Sequence, residues 1–290
     1  MISSYFGGLL IMISIYLILA LSLQLALGFC GLFNLGFVGF YAIGAYASAL
    51  LALSGQPFWF CLLTAALVPT IFAYILSTAT NKLKGDYLAL ATMGFSFVIY
   101  AVTLNWIGLT KGPLGLPGIP RPQFWGIDFN NDTNFLILSA LIAILTYLIL
   151  HKIASSPFGK TLEAIRDDEL AAKSLGKKTA TAKSLALMIS AFFAGIAGCL
   201  LASYLSYIDP TSFMFVNLIP ILTIVVIGGL ASLPGTVFAT IIIVLLPEPL
   251  RFIGLPSSLI GPGRQLLYAL FLLLILLYKP KGFYGKVELE

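Results

Sequence analysis

Glu163, Asp167, Asp168 and Glu169 are interleaved with Lys160, Arg166 and Lys173 inside residues 155–176, in a chain where only 9% of residues are charged. Ion pairing and docking are the chemistry such a set supports. Catalysis is not indicated: there is no GxxxxGK[ST] phosphate loop, no HExxH pair, no GxSxG turn between strand and helix, and one histidine, His151, at the edge of an apolar segment. Cys30, Cys61 and Cys199 lie in apolar stretches without CxxC spacing or histidine neighbours, so they read as buried inert thiols, with neither a disulfide framework nor a metal site expected. The other polar feature is Asn34, an amide flanked by glycines in an oily run, where it can offer a small solute a hydrogen bond at bilayer depth.

The charged island carries its own helix signals. Ser156 suits an N-cap, Pro157 the first helical position, and Gly176 the position just past a helix end. Glu163 and Asp167 stand four apart, a like-charge spacing that costs about a few tenths of a kcal/mol in one continuous helix. Asp167, Asp168 and Glu169 are instead favoured at a fresh helix N-terminus, so two short helices are expected rather than one rod, with Glu169 and Lys173 as a favourable pair. Phe158, Leu162 and Ile165 share one helical face. An apolar face on a water-exposed loop calls for a partner protein, and the plainer alternative is a loop that its charges merely keep wet.

The rest of the chain is oily. With 60% hydrophobic residues, and 9% charged against roughly a quarter in soluble domains, the 290 residues form an all-α polytopic membrane protein, one transmembrane domain over 1–290 with the island as a loop at 152–183. The net charge of +5 sits in loops and reflects membrane orientation, so no nucleic-acid partner is expected and membrane lipid is. The first 28 residues lack a basic start and a small-residue cleavage pattern, and read as a retained span. Gly/Pro breaks place further spans near 31–53, 57–80, 87–108, 133–151, 184–208, 214–229, 233–248 and 265–279, about nine in all (range 8–10). Those either side of 228–235 are short enough to be half-helices of one leaflet.

Loop cations set the orientation. Lys152, Lys160, Arg166, Lys173, Lys177, Lys178 and Lys183, with Lys279, Lys281 and Lys286 in the tail, place 152–183 and the C-terminus in the cytoplasm. Lys82 and Lys84 then face inward, 109–132 faces outward, and an odd number of spans puts the N-terminus outside. Trp59 and Trp106 near outer helix ends, and Phe283 and Tyr284 past the last inner end, agree with this. The spans hold almost no ionisable groups, which argues against ion-coupled transport. Around Asn34, the glycines Gly28, Gly31, Gly36, Gly39 and Gly44 chiefly serve close helix packing, while Asn34 itself is the pathway residue.

Ser156-Pro157-Phe158-Gly159 through Ala164-Ile165-Arg166-Asp167-Asp168-Glu169 to Ala171-Ala172 and Leu175-Gly176 resembles the cytoplasmic coupling segment of permease subunits in branched-chain amino-acid ABC importers, of the LivM-like branch. Also similar are Gly85-Asp86-Tyr87-Leu88-Ala89-Leu90-Ala91-Thr92, Leu109-Thr110-Lys111-Gly112-Pro113-Leu114-Gly115, Asp209-Pro210 with Phe213, Gly228-Gly229 with Gly235, Leu246-Pro247-Glu248 and Pro280-Lys281-Gly282-Phe283-Tyr284-Gly285. The resemblance implies a type II importer-like permease of the bacterial inner membrane, with broken or re-entrant segments. It implies a second permease subunit (hetero- or homodimer), two cytoplasmic ATPases that bind the ATP and Mg, and an external substrate-binding protein. It also implies that Phe158, Gly159, Leu162, Glu163, Ala164, Ile165, Arg166, Asp167, Asp168, Glu169, Ala172 and Gly176 couple to the ATPase. Gly31, Asn34, Gly36, Tyr41, Gly44, Thr92, Gly228 and Gly229 would line the substrate pathway. Where the family usually has Gly-Gln-x-Ser-Leu-Gly and a polar residue, this chain has Gly31-Leu32-Phe33-Asn34-Leu35-Gly36-Phe37, a greasier pathway. An ATP-independent carrier or channel, and a membrane scaffold, are the competing classes; urea or short amides are the competing cargo.

Overall fold

The computed structural model describes residues 2–81, 83, 85–124, 127–129, 131–251, 257–279 and 282–285. Lys82, Lys84, Lys281 and Lys286, used above for orientation, lie outside the described residues. The chain opens with α1 (Ile2–Gln24), which runs into a π-helical turn at Leu25–Phe29 and stops. Next come α2 (Phe37–Leu53), α3 (Phe58–Thr80), α4 (Asp86–Asn105) and the single turn α5 (Ile107–Thr110). A connection with strands β1 (Leu116–Pro117), β2 (Gln123–Phe124) and β3 (Ile127–Asp128) leads to α6 (Asp132–Ser155), α7 (Pro157–Asp167), α8 (Glu169–Ser174) and α9 (Thr179–Leu205). After β4 (Tyr207–Ile208) the chain closes with α10 (Leu218–Gly228), α11 (Leu233–Leu245) and α12 (Ser257–Tyr278).

Every apolar segment expected from the sequence is helical. Five helices are long and apolar enough to cross a bilayer, namely Tyr5–Phe29, α3, α4, α6 and α9, and shorter apolar helices stand at the other expected positions. Several boundaries differ from expectation, the largest shift being α12, which starts at Ser257 rather than 265, and two of them bear on the island and its surroundings. The second span starts at Phe37 rather than residue 31, because Gly31 at φ +69° closes the π turn, with its N–H on the Leu27 carbonyl and the Leu32 N–H on that of Ala26. Residues 31–34 are thus irregular backbone, with Leu32 and Asn34 buried and Gly31 and Phe33 exposed. At the other boundary α9 starts at Thr179 rather than 184, so its first turn carries Lys183 back over the island.

Burial separates the central helices from the peripheral ones. In the apolar windows 78% of α9 and 67% of α1 is buried, against 28–33% for α3, α4 and α6, which leave large apolar side chains such as Leu63, Phe97 and Ile144 exposed. Small residues let the central helices close up. A Cβ on Gly44 would lie 2.3 Å from the Gly195 Cα, and one on Gly195 would lie 1.9 Å from the Ala65 carbonyl, so α2, α9 and α3 meet backbone to backbone.

Side-chain and backbone contacts sort the helix ends into two layers. At one end, β1 pairs antiparallel with β4, Leu116 opposite Ile208, and Arg121 bridges Asp132 at 3.0 Å while accepting Tyr204 and Phe135 as ring partners. At the other end lie the island, the π turn and the α10–α11 turn, since a Cβ on Gly28 would lie 2.8 Å from the Ala231 nitrogen and the Phe283 N–H donates to the Ile227 carbonyl at 2.8 Å. The tail after α12 therefore returns to the same layer as the island.

Candidate coupling and translocation site

The island folds as two helices, as its charges dictate. Ser156 caps α7, accepting the Gly159 N–H, and Gly159 is required there because a Cβ would lie 2.1 Å from the Ala154 carbonyl at the end of α6. Asp168 stands between the helices in extended backbone, and its carboxylate accepts the Leu170 and Ala171 N–H groups at 2.8 and 3.0 Å. Gly176 at φ +78° ends α8, its N–H on the Lys173 carbonyl and the Lys177 N–H on that of Ala172. Glu169 pins the unit to α9 through Lys183 at 2.6 Å, with Lys173 at 3.0 Å. Burial pushes the Glu169 carboxyl up, but the hydrogen bonds and charges of Lys183 and Lys173 outweigh it and hold the group at about 2.

The apolar face of α7 has a different partner from the one expected. Leu162 and Ile165 are fully buried and Phe158 half-buried, all packed into the chain's own core, where α7 meets α6, α9 and the π turn. The face expected to seek another protein is satisfied within this chain, because the hydrophobic effect draws it onto the nearest apolar surface, the foot of its own membrane domain. Ala172 and Gly159 are buried with it, and Glu163 is tied to Lys160 at 2.8 Å. What faces away is Ala164, Asp167, Asp168, Leu170 and Leu175, the two leucines being 68% and 79% exposed.

Arg166 joins the island to the pathway segment. Its Nη1 donates to the Gly28 carbonyl at 2.9 Å, a group left without a helical partner by the end of the π turn, while Asp167 holds the guanidinium at 2.8 Å. A Cβ on Gly31 would lie 2.9 Å from the Arg166 Cγ, so that glycine makes room for the arginine.

Beyond this contact lies Asn34, 5% exposed, with its Oδ1 accepting the Gly36 N–H at 3.0 Å and its Nδ2 buried without a partner among the described residues. Thr92 on α4 accepts the Leu35 N–H at 3.0 Å, and a Cβ on Gly36 would lie 2.4 Å from the Thr92 carbonyl. Asn34, Thr92, Ser77, Thr80 and Lys183 line a cavity of about 30 Å³. That is room for roughly one water, so the polar pocket is closed in this conformation. An unpaired buried amide N–H costs about 1–3 kcal/mol unless water or a solute meets it.

The remaining expected pathway residues are elsewhere. Tyr41 is buried with its ring edge-on to Phe213 at 5.1 Å, and Gly44 belongs to the packing seam with Gly195. Gly228 packs on Gly235, whose Cβ would lie 1.9 Å from the Gly228 carbonyl, and Gly229 at φ +93° makes the turn. Gln24, not singled out from sequence, donates through Nε2 to the Gly229 carbonyl at 2.7 Å while its buried Oε1 has no partner among the described residues. A lone amide in an uncharged apolar run was the signal for it. His151 stacks on Tyr147 at the exposed end of α6.

Comparison with known proteins places this architecture. No solved structure matches the chain. The chain is 35% identical over 93% of its length to the high-affinity branched-chain amino acid transport system permease protein LivM of Salmonella typhimurium, covering 68% of that protein. It is 26% identical over 96% of its length to the high-affinity branched-chain amino acid transport system permease protein LivH of Escherichia coli, covering 93% of it. It is 26% identical over 60% of its length to the guanosine ABC transporter permease protein NupQ of Bacillus subtilis, covering 59% of it. The model of the family described as branched-chain amino acid transport system / permease component matches residues 5–278, and this multi-pass membrane protein belongs to that family.

Proposed function

We propose that the chain is the membrane permease of an ATP-driven importer that moves branched-chain or other small amino acids into the cytoplasm. The observation that carries the reading is the capped two-helix island, fixed to the pathway segment through Arg166 and Gly28, with two leucines turned away from the membrane domain. Separate ATPase subunits dock on that outer surface and bind the ATP and Mg, and a second permease and an external binding protein complete the assembly. Likeness to both LivM and LivH supports a second permease of the same family.

The chain crosses the membrane about nine times in this reading. The island, its lysines and the C-terminal tail are cytoplasmic; the N-terminus and the layer holding β1 and β4 are external. The α10–α11 turn at the island end favours two short crossings over a hairpin confined to the outer leaflet. An even number is added either way, so the orientation of the termini is unaffected.

The test is docking. In Leu170→Ala with Leu175→Ala, ATPase recovered with the permease from detergent falls roughly 5- to 150-fold in affinity, the range for truncating a few buried anchors. ATP-driven leucine uptake in vesicles falls with it. Full binding and full uptake by this variant refute the docking surface, and uptake that persists without any ATPase supports a carrier or channel instead.

A further inference from the structure

The closed polar pocket at Asn34 has a neighbour. A second cavity, a vestibule of about 380 Å³, lies under the island between the α7–α8 junction and the start of α4, lined on the island side by Arg166, Asp167, Asp168 and Glu169. Asp167 and Leu170 at its rim are exposed, so it opens away from the membrane domain. The two cavities share Leu32, Leu83, Leu88 and Lys183. Those side chains are the partition between a space of about 30 Å³, room for one water, and a space of a size that takes a small solute.

The island grips this partition from two sides. Arg166 donates to the Gly28 carbonyl and lies against Gly31, and the Leu32 N–H is fixed to the Ala26 carbonyl, so α7 sets the position of Leu32. Glu169 at the start of α8 holds Lys183 at 2.6 Å, with both side chains only 17% exposed. A short charge-assisted contact shielded from water is stronger than an exposed ion pair. Leu88 comes from α4, which is tied to the same irregular segment where Thr92 accepts the Leu35 N–H. Behind the partition the Asn34 Nδ2 is buried and unpartnered among the described residues, a donor left for water or a solute entering the pocket. Leucines across a narrow passage exclude water and a zwitterion alike.

We propose that Leu32 and Leu88 are the inner gate of the pathway and that the Glu169–Lys183 ion pair is its latch. Displacement of the island by a docked ATPase moves Leu32 through Arg166 and draws Glu169 off Lys183. The Asn34 pocket then joins the vestibule, and the solute leaves to the cytoplasm. The inference rests on the importer reading and adds how the docking surface reaches the solute. Glu169 and Lys183 are positioning residues, acting through the gate rather than on the solute.

The experiment places one cysteine behind the gate, Ser184→Cys, in a chain with Cys30, Cys61 and Cys199 replaced by alanine. The transporter is assembled with its ATPases in inside-out vesicles, and modification by a charged methanethiosulfonate is followed at rest and during ATP turnover. At rest the reaction is slow. ATP turnover, and Glu169→Gln without ATP, each raise the rate about tenfold or more, the shift that follows from losing a hydrogen bond to a charged group. The reversed pair, Glu169→Lys with Lys183→Glu, restores the slow rate and its ATP dependence. Ser139→Cys, fully buried on α6, stays unreactive throughout and so separates an opened gate from a loosened fold. Where Glu169→Gln fails to assemble, Leu88→Ala decides, since trimming this half-buried side chain widens the partition and speeds the resting reaction. One rate at rest, during turnover and in the variants overturns the gate, as does equal modification of Ser139→Cys. Leucine uptake in right-side-out vesicles separates the two claims: if the chain imports leucine while Ser184→Cys keeps one rate, only the gate fails. If the unmodified chain imports no amino acid, the importer reading fails first.

Discussion

Among the breaks in the helical run in the island's layer, those at 31–36 and 229–232 are built on different physics. At 31–36 the chain leaves its helix with polar groups turned inward: the Asn34 amide has an unpartnered N–H, Thr92 meets a backbone N–H, and Arg166 reaches in to the Gly28 carbonyl. At 229–232 the break is sealed by backbone, with Gly228 against Gly235, the Gln24 amide on the Gly229 carbonyl and the tail hydrogen-bonded over the top. The first has groups free to meet a solute and a handle on its surface. The second leaves one acceptor, the Gln24 Oε1, unmet among the described residues, and what lies over it is the backbone of the tail. A glycine can thus mark a moving part or a fixed joint, and its neighbours decide which.

The fixed joint breaks most severely. Gly235→Ala drives a methyl to 1.9 Å from the Gly228 carbonyl, and the expected outcome is loss of folded protein, read as the monodisperse fraction on fluorescence-detected gel filtration. An equal yield of folded protein would show that the α10–α11 turn opens freely. Leu162→Ala comes next: it empties a fully buried site beneath the island and destabilises the chain itself by about 2–5 kcal/mol. The measurement is a thermal melt in detergent beside the ATPase pull-down; a normal melt with lost binding would return the α7 face to docking.

At the polar break the effect is on transport. Asn34→Leu removes an amide without leaving a void, so leucine uptake slows while abundance and assembly hold; normal uptake would make Asn34 a packing residue. The smallest effect is electrostatic. Because the Glu169 carboxyl is depressed from 4.5 to about 2, its contribution is complete above pH 4.5 and is lost as pH falls through about 2. Amide exchange in α8, referenced to that in α9, should therefore rise over that window, and Glu169→Gln should show the loosened state at neutral pH. A pH-independent α8 in the unmodified chain would exclude the Lys183–Glu169 tie.

Local signals were legible wherever the chemistry was local. Ser156, Asp168 and Gly176 act within one turn of themselves, so the two island helices and their limits follow from spacing. The polar break was legible in outline, since Asn34 among glycines reads as irregular backbone, but its start at Gly31 and the six-residue reach from Leu32 to Ala26 were not. Helix periodicity carries no mark for a π turn. The partition between the Asn34 pocket and the vestibule was invisible, because Leu32, Leu88 and Lys183 come from three separate segments.

The sequence by itself determined a polytopic helical membrane protein, the positions of its apolar helices and the capping of its charged loop, because hydrophobicity, proline, glycine and charge act over a few residues at a time. Only the tertiary structure decided which face of the island is free, which glycines are joints, and which polar groups meet. The apolar stripe of Phe158, Leu162 and Ile165 has the same pattern whether it meets another protein or its own membrane domain. The nearest apolar surface claims it, and that surface exists only once α6, α9 and the π turn have come together.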